Sequence, residues 1–265
     1  MKIKVLAGVM LAVALFSFTA QAAMSWAPAP AKHGHGGHGG RHAAKTFMLH
    51  DGVGAELSLI NPKLSVMPMQ GEHGRVTVKS TGMDNYHALL ATRSDGKLYE
   101  SAVRYVYMFG KPSGESPSLL IKHAKAALEI KPAPLAREHW RYYSNTEAVF
   151  VVSYKGKPLA NTTVLLKTAN GSDAVLQTDV AGKLIVALPE DFSIIKSGRM
   201  GNRPSEFLLT ANYAEGEQRF TTTFSSAYHI NPEHWQSTEL GLATVVAGML
   251  LGGLITVRSR RRKEK

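Results

Sequence analysis

The sequence predicts a mainly β protein: one or two β-sandwich units followed by one C-terminal transmembrane helix. Three observations carry this. Short runs alternate apolar and polar residues with a period of two, as in Arg75-Val76-Thr77-Val78-Lys79. Turn signals punctuate these runs at the spacing of roughly 8–12 residues expected of short antiparallel strands. Near the end, Leu240–Val257 is a stretch of 18 uncharged, mainly apolar residues.

Residues 1–22 follow the pattern of an export leader. Lys2 and Lys4 give a short positive region, Val5–Phe18 is apolar, and Ala20-Gln21-Ala22 offers a small-x-small cleavage site. The alternative is an N-terminal anchor helix, but the apolar run is short for spanning. Residues 23–45 show no periodic pattern. Ala27-Pro28-Ala29-Pro30 reads as a stiff spacer, and the following histidine- and glycine-rich stretch has nothing to bury, so a tether is expected here.

Residues 46–134 turn β-rich. Strands are expected at Ala55–Ile60, Arg75–Lys79 and Leu98–Phe109, with turns at Asn61-Pro62, Met67-Pro68, Gly71 and Ser94-Asp95-Gly96. Leu119–Leu128 is expected to be a short helix, and Pro132 and Pro134 then mark a boundary. Residues 146–230 read as a second β unit. Its expected strands are Val149–Tyr154, Thr163–Thr168, Val175–Thr178, Lys183–Leu188, Glu206–Tyr213 and Gln218–Phe224. Lys155-Gly156-Lys157-Pro158 and Glu215-Gly216 read as turns, and Asn170-Gly171 is a hairpin signal.

Residues 239–257 follow as the candidate span. At 1.5 Å per residue, 18 residues rise about 27 Å, close to the roughly 30 Å of a bilayer core. The basic tail 258–265 then places the C-terminus in the cytoplasm by the positive-inside rule. Together with the leader this gives a single-pass protein of the bacterial inner membrane with its N-terminus outside, in contact with lipid through 239–257. Gly248-x-x-x-Gly252 is either a helix-contact motif or ordinary glycine tolerance in a membrane helix.

The net charge is +11. Lys2 and Lys4 lie in the leader, and residues 258–265 carry a net +5, so the intervening body is nearly balanced. That removes the basic footprint expected of a nucleic-acid binder. The chain has no cysteine, which excludes disulfides, thiolate zinc sites and cysteine nucleophiles. It also lacks G-x-S-x-G, H-E-x-x-H, a Walker loop and G-x-G-x-x-G.

Several pieces of the chain resemble a known family. They are Leu128-Glu129-Ile130-x-Pro132, Phe150-x-Val152-x-Tyr154-x-Gly156-Lys157-Pro158-Leu159-Ala160, Gln177-Thr178-Asp179-x-x-Gly182-Lys183 and Leu188-Pro189. The stretch 46–225, most specifically 120–190, resembles exported β-sandwich proteins of unassigned molecular function associated with bacterial nickel and cobalt uptake. The turn motifs also occur in carboxypeptidase-regulatory-like and transthyretin-like modules. The resemblance implies sandwiches of immunoglobulin or transthyretin type. It also implies an accessory subunit of an energy-coupling-factor metal transporter, with transporter subunits as partners. One departure is that Ala23-Met24-Ser25-Trp26 has no histidine near the mature N-terminus, so an amino-terminal metal chelate is not implied.

The residues best suited to chemistry are His33, His35, His38 and His42, four imidazoles within ten residues. Neutral imidazole is a common ligand of nickel, cobalt, copper and zinc. The tract reads either as a metal-gathering segment, with Ni or Co favoured over Cu or Zn, or as an inert linker. His50, paired in sequence with Asp51, and Met67, Met69 and His73 form a weaker set. Its thioethers would suit Cu(I), against the plainer reading of methionines packed near Pro68. The other histidines read singly as surface or satisfied structural groups. Tyr105, Tyr107 and Phe109 are expected to share one core-facing side of a strand. Glu100, Asp173 and Asp191 are isolated carboxylates. No enzyme is expected: the leading expectation is a metal-capturing accessory protein. A non-catalytic scaffold of a membrane complex and a periplasmic copper-handling protein are the alternatives.

Overall fold

A computed structural model describes residues 23–30, 44–136, 141–236 and 238–263. The expected leader therefore lies outside the described residues. The first half of the chain forms β1 (Ser25–Pro28), β2 (Lys45–His50), β3 (Glu56–Ile60), β4 (Val66–Pro68), β5 (Gly71–Glu72), β6 (Arg75–Val78), β7 (Met83–Ser94), β8 (Leu98–Met108) and β9 (Lys111–Pro112), then helix α1 (Pro117–Lys122). The second half forms β10 (Leu128–Pro132), β11 (Tyr142–Tyr143), β12 (Glu147–Tyr154), β13 (Lys157–Pro158), β14 (Thr163–Thr168), β15 (Asp173–Gln177), β16 (Lys183–Ala187), β17 (Ser205–Glu215) and β18 (Gln218–His229), then helix α2 (Thr238–Lys263).

The described strands make two small sheets and one large one. The small sheets are β1-β2-β6-β5 and β10-β12-β13 with β16 beside β12. The large sheet runs β15-β14-β17-β18-β8-β7-β3-β4. Its middle is a parallel seam in which Arg219–Phe224 of β18 pairs with Leu98–Val103 of β8. Side chains alternate across a strand, and β8 uses both faces. Ala102, Val106 and Met108 join a core with Met24, Trp26, Phe47, Leu49 and Val76 under the first small sheet. Tyr99 and Tyr105 turn the other way, against the core built by Phe150, Val152, Leu184, Phe207 and Phe224. The two small sheets thus cover opposite faces of the shared sheet.

The turn motifs explain themselves locally. The Asp179 carboxylate accepts from the backbone N–H of Ala181 at 2.9 Å and of Lys183 at 2.8 Å, closing the Thr-Asp-x-x-Gly turn. Thr178 accepts from the Thr162 N–H at 2.8 Å and donates to the Leu159 carbonyl at 2.7 Å, tying that turn to the Gly-Lys-Pro-Leu turn.

Three expectations are corrected. Ser25–Pro28, expected in a tether, is a strand paired with β2 from Ser25↔His50 to Pro28↔Phe47. Burial decides it: Met24 is 1% and Trp26 2% exposed, and the Trp26 indole donates to the Ala102 carbonyl at 3.1 Å. The expected helix 119–128 stops at Lys122, because Leu128 and Ile130 are buried as part of β10, which pairs with β12. The third correction concerns the membrane. Leu240–Val257 does lie in a helix, but among the described residues no helix is long and apolar enough to cross a membrane. Gly241, Thr244, Gly248, Gly252 and Gly253 thin out its Leu, Val and Met. The single-pass inner-membrane placement is therefore not retained.

Candidate functional site

His33, His35, His38 and His42 lie outside the described residues, but their flanks do not. Pro28 pairs with Phe47, and the Ala29 N–H donates to the Thr46 carbonyl at 3.0 Å. The described residues on either side of the tract therefore meet at one end of the β1-β2 pair. The Lys45 ammonium at that end donates to the Tyr107 carbonyl at 2.6 Å. Burial first, then the nearby Arg104 charge, lowers its pKa.

The weaker set does not converge. The His73 side chain is 93% exposed in the turn between β5 and β6, with its Nδ1 4.0 Å from Glu72. His50 is exposed at the far end of β2. The Leu49 N–H donates to the Gly74 carbonyl at 2.7 Å. Continuing that antiparallel register sets His50 across from His73. Met67 and Met69 instead pack against the first core. Among the described residues no group of three or more His, Asp or Glu side chains is placed to hold an ion.

Two other histidines have side-chain partners. His87 is fully buried: its Nδ1 donates to the Asn85 carbonyl at 3.1 Å and its Nε2 accepts from Thr81 Oγ1 at 2.6 Å. Burial lowers its pKa more than the Asn85 bond raises it. His234 lies 3.0 Å from Glu190. The isolated carboxylates are held separately. Glu100 is buried and takes Arg93 Nε at 2.8 Å. Asp173 is exposed on β15. Asp191 accepts from Thr168 at 2.6 Å, from Asn170 at 3.0 Å and from the Tyr228 hydroxyl. Burial opposes ionisation of Asp191, but these bonds outweigh it and leave the pKa lowered. Of the aromatic stripe, Tyr105 faces the second core. The Tyr107 hydroxyl donates to Asp84 at 2.8 Å, and its ring meets Phe109 edge-on at 5.3 Å.

The structure also contains a cleft of about 310 Å³ where the two sandwiches meet. Its floor includes Glu56, Thr92, Ser101 and Tyr99, the last stacked on Phe220 with centroids 4.9 Å apart, and Ala127 and Leu128 form a wall. Hydroxyls and a carboxylate beside an aromatic pair can hold a small ligand with both polar and apolar faces. These residues escaped the sequence reading. The available signal was Arg93 and Glu100, opposite charges flanking one hairpin turn.

No family model matches the chain, and no curated protein matches it. Several solved structures resemble it. A tetra-tandem repeat from the extending region of a large adhesion protein is 9% identical with a TM-score of 0.25, covering 79% of this chain and 49% of that one. The chain thus spans about half the length of that structure. A bacterial ice-binding adhesin is 12% identical with a TM-score of 0.25, covering 72% of this chain and 58% of its own. The D0-D1 domain of intimin is 15% identical with a TM-score of 0.24, covering 79% of this chain and 97% of its own.

Proposed function

We propose that this protein is a non-enzymatic metal-capturing module, which gathers a divalent transition metal ion, nickel or cobalt first, on His33, His35, His38 and His42 and passes it to a membrane transporter. One observation carries the reading. Four imidazoles within ten residues fall in a segment whose two ends are tied by the pairing of β1 with β2. Closing a segment at both ends confines its ligands to a small volume. It raises their effective concentration toward one another relative to a free tail. Imidazole binds metal only when neutral, so protonation of the tract in acid weakens the capture.

Calorimetry on the full chain tests this with Ni²⁺, Co²⁺, Cu²⁺ and Zn²⁺ titrated separately. The wild type is expected to bind Ni²⁺ in a saturable step. The variant with all four histidines replaced by alanine should bind at least tenfold more weakly with an unchanged far-UV circular dichroism spectrum. Equal binding by the two proteins would remove the tract from the function and leave the scaffold reading in its place.

A further inference from the structure

At the end of β18 furthest from the hairpin Glu215–Gln218, two arginines converge on one histidine. The Arg141 guanidinium stands 3.4 Å from His229 Nε2. Arg199, in a short 3-10 turn, lines with Arg141 a cavity of about 30 Å³, together with Tyr143, Asn202 and Trp235. Among the described residues, no Asp or Glu lines this cavity. Among the described ion pairs, each Asp or Glu has a partner other than these arginines.

The cluster is held in place by its surroundings. β11 pairs parallel with β18, Tyr143 beside His229, and the Ser144 N–H donates to the His229 carbonyl at 2.8 Å. The Tyr143 ring lies 6.3 Å from the imidazole. Asn202 clamps the loop that carries Arg199. Its amide donates to the Lys196 carbonyl at 2.7 Å and to the Gly198 carbonyl at 2.8 Å, and its oxygen accepts from the Lys196 N–H at 2.8 Å. Burial, then Arg141 and Arg199, push the His229 pKa down to about 4, so the imidazole is neutral at physiological pH and adds no positive charge beside the two guanidiniums.

We infer that this cavity is a binding site for a single oxyanion group, a carboxylate or a phosphate, gripped between Arg141 and Arg199 with Asn202 and Trp235 at its rim. Guanidinium forks match the paired oxygens of such groups. The volume sets the size. A water needs about 10–15 Å³ by this measure, so about 30 Å³ admits a headgroup and leaves the rest of a ligand outside. This site is independent of the histidine tract and stands or falls without it.

The test is titration of the full chain with inorganic phosphate and, separately, with acetate, at ionic strength held constant with sodium chloride. The readouts are calorimetry and the NMR shift of the His229 ring protons. One saturable site that moves the His229 signals is expected, with Arg199→Gln weakening it at least tenfold and Arg199→Lys by less. Saturation by phosphate alone assigns a phosphoryl ligand, and saturation by both assigns oxyanions generally. Arg199 is exposed, so Arg199→Gln should leave the fold intact, as read from an unchanged melting temperature. The inference is overturned if neither anion saturates, if the His229 signals stay still, or if Arg199→Gln binds as the wild type does.

Discussion

Lys125 and Glu129 are the most deeply buried ion pair described, with side chains 1% and 2% exposed and 3.5 Å between Nζ and Oε1. Lys125 also donates to the carbonyls of Leu120 at 3.0 Å and His123 at 2.5 Å, and its charge sits 5.7 Å above the Tyr105 ring. Burial lowers the Lys125 pKa, and Glu129 only partly restores it. A pair this dry is expensive to break and cheap to replace as a unit. Glu129→Gln should cost about 3 kcal/mol, since it removes the counter-charge of a buried ammonium, and Lys125→Met less, because Glu129 keeps Lys131 Nζ at 3.5 Å. The double variant Lys125→Met/Glu129→Leu should cost well under the sum. Urea unfolding of the four proteins closes the cycle, and strictly additive losses would show that the two charges do not depend on each other. This pair was not legible from spacing: Lys125 and Glu129 stand four apart, which reads as a solvated helix face, whereas Lys125 precedes a strand and Glu129 lies within it.

Among the elements, legibility follows burial. β14 and β16, with one buried and one exposed face, alternate cleanly and sit where their period-two runs predict them. β7 escaped because five consecutive residues, His87–Ala91, are all buried. A strand covered on both faces shows no alternation. β1 escaped because four residues beside a low-complexity tract carry too little pattern, and only Trp26 finding the first core makes them a strand. Met67-Pro68 and Gly71, expected as turns, lie in β4 and β5, whereas Asn170-Gly171 and the Thr-Asp-x-x-Gly turn sit where read, and these two differ in what they demand. At Gly182, φ is +72° and a Cβ would lie 2.7 Å from Pro158 Cβ, 2.9 Å from the Leu159 nitrogen and 3.0 Å from the Val152 carbonyl oxygen. At Gly171, φ is +102° but nothing lies within 4 Å of such an atom. Gly171→Ala should therefore cost about 1 kcal/mol from backbone strain alone. Gly182→Ala should cost about 2–4 kcal/mol, because neither ring nor backbone can yield. Equal shifts in the denaturation midpoints of the two variants would mean that contact at Gly182 is not what makes the motif glycine obligatory.

At the scale of the whole molecule, the decisive feature is one that local patterns cannot carry. β8 and β18 are about 120 residues apart in sequence, yet six register pairs join them in parallel. Alternation shows that each is a strand but not which strand lies beside it, so the sequence left open whether two cores exist and how they meet. The seam is reinforced beyond its backbone bonds. Ser101 donates to Thr222 at 2.8 Å and Thr223 to the Met24 carbonyl at 2.6 Å, while Arg104 pairs with Glu206 at 2.5 Å and lies over the Phe47 ring. Phe224 sits on it, 2% exposed, 5.2 Å from the Phe150 ring and 6.2 Å from that of Tyr105. If one half unfolded alone, it would strip the central strand of the other of its backbone partner and expose the apolar side chains packed on that strand to water. The two sandwiches should therefore unfold as one unit. Phe224→Ala, which opens a cavity in the second core, should cost about 3–5 kcal/mol and pull the first core down with it. In a background with Trp140 and Trp235 replaced by phenylalanine, Trp26 fluorescence reports the first core alone. Its midpoint should then fall together with that of the far-UV circular dichroism signal. A Trp26 transition that keeps its original midpoint while the remainder shifts would mean that the shared sheet joins the sandwiches in space without coupling their stability.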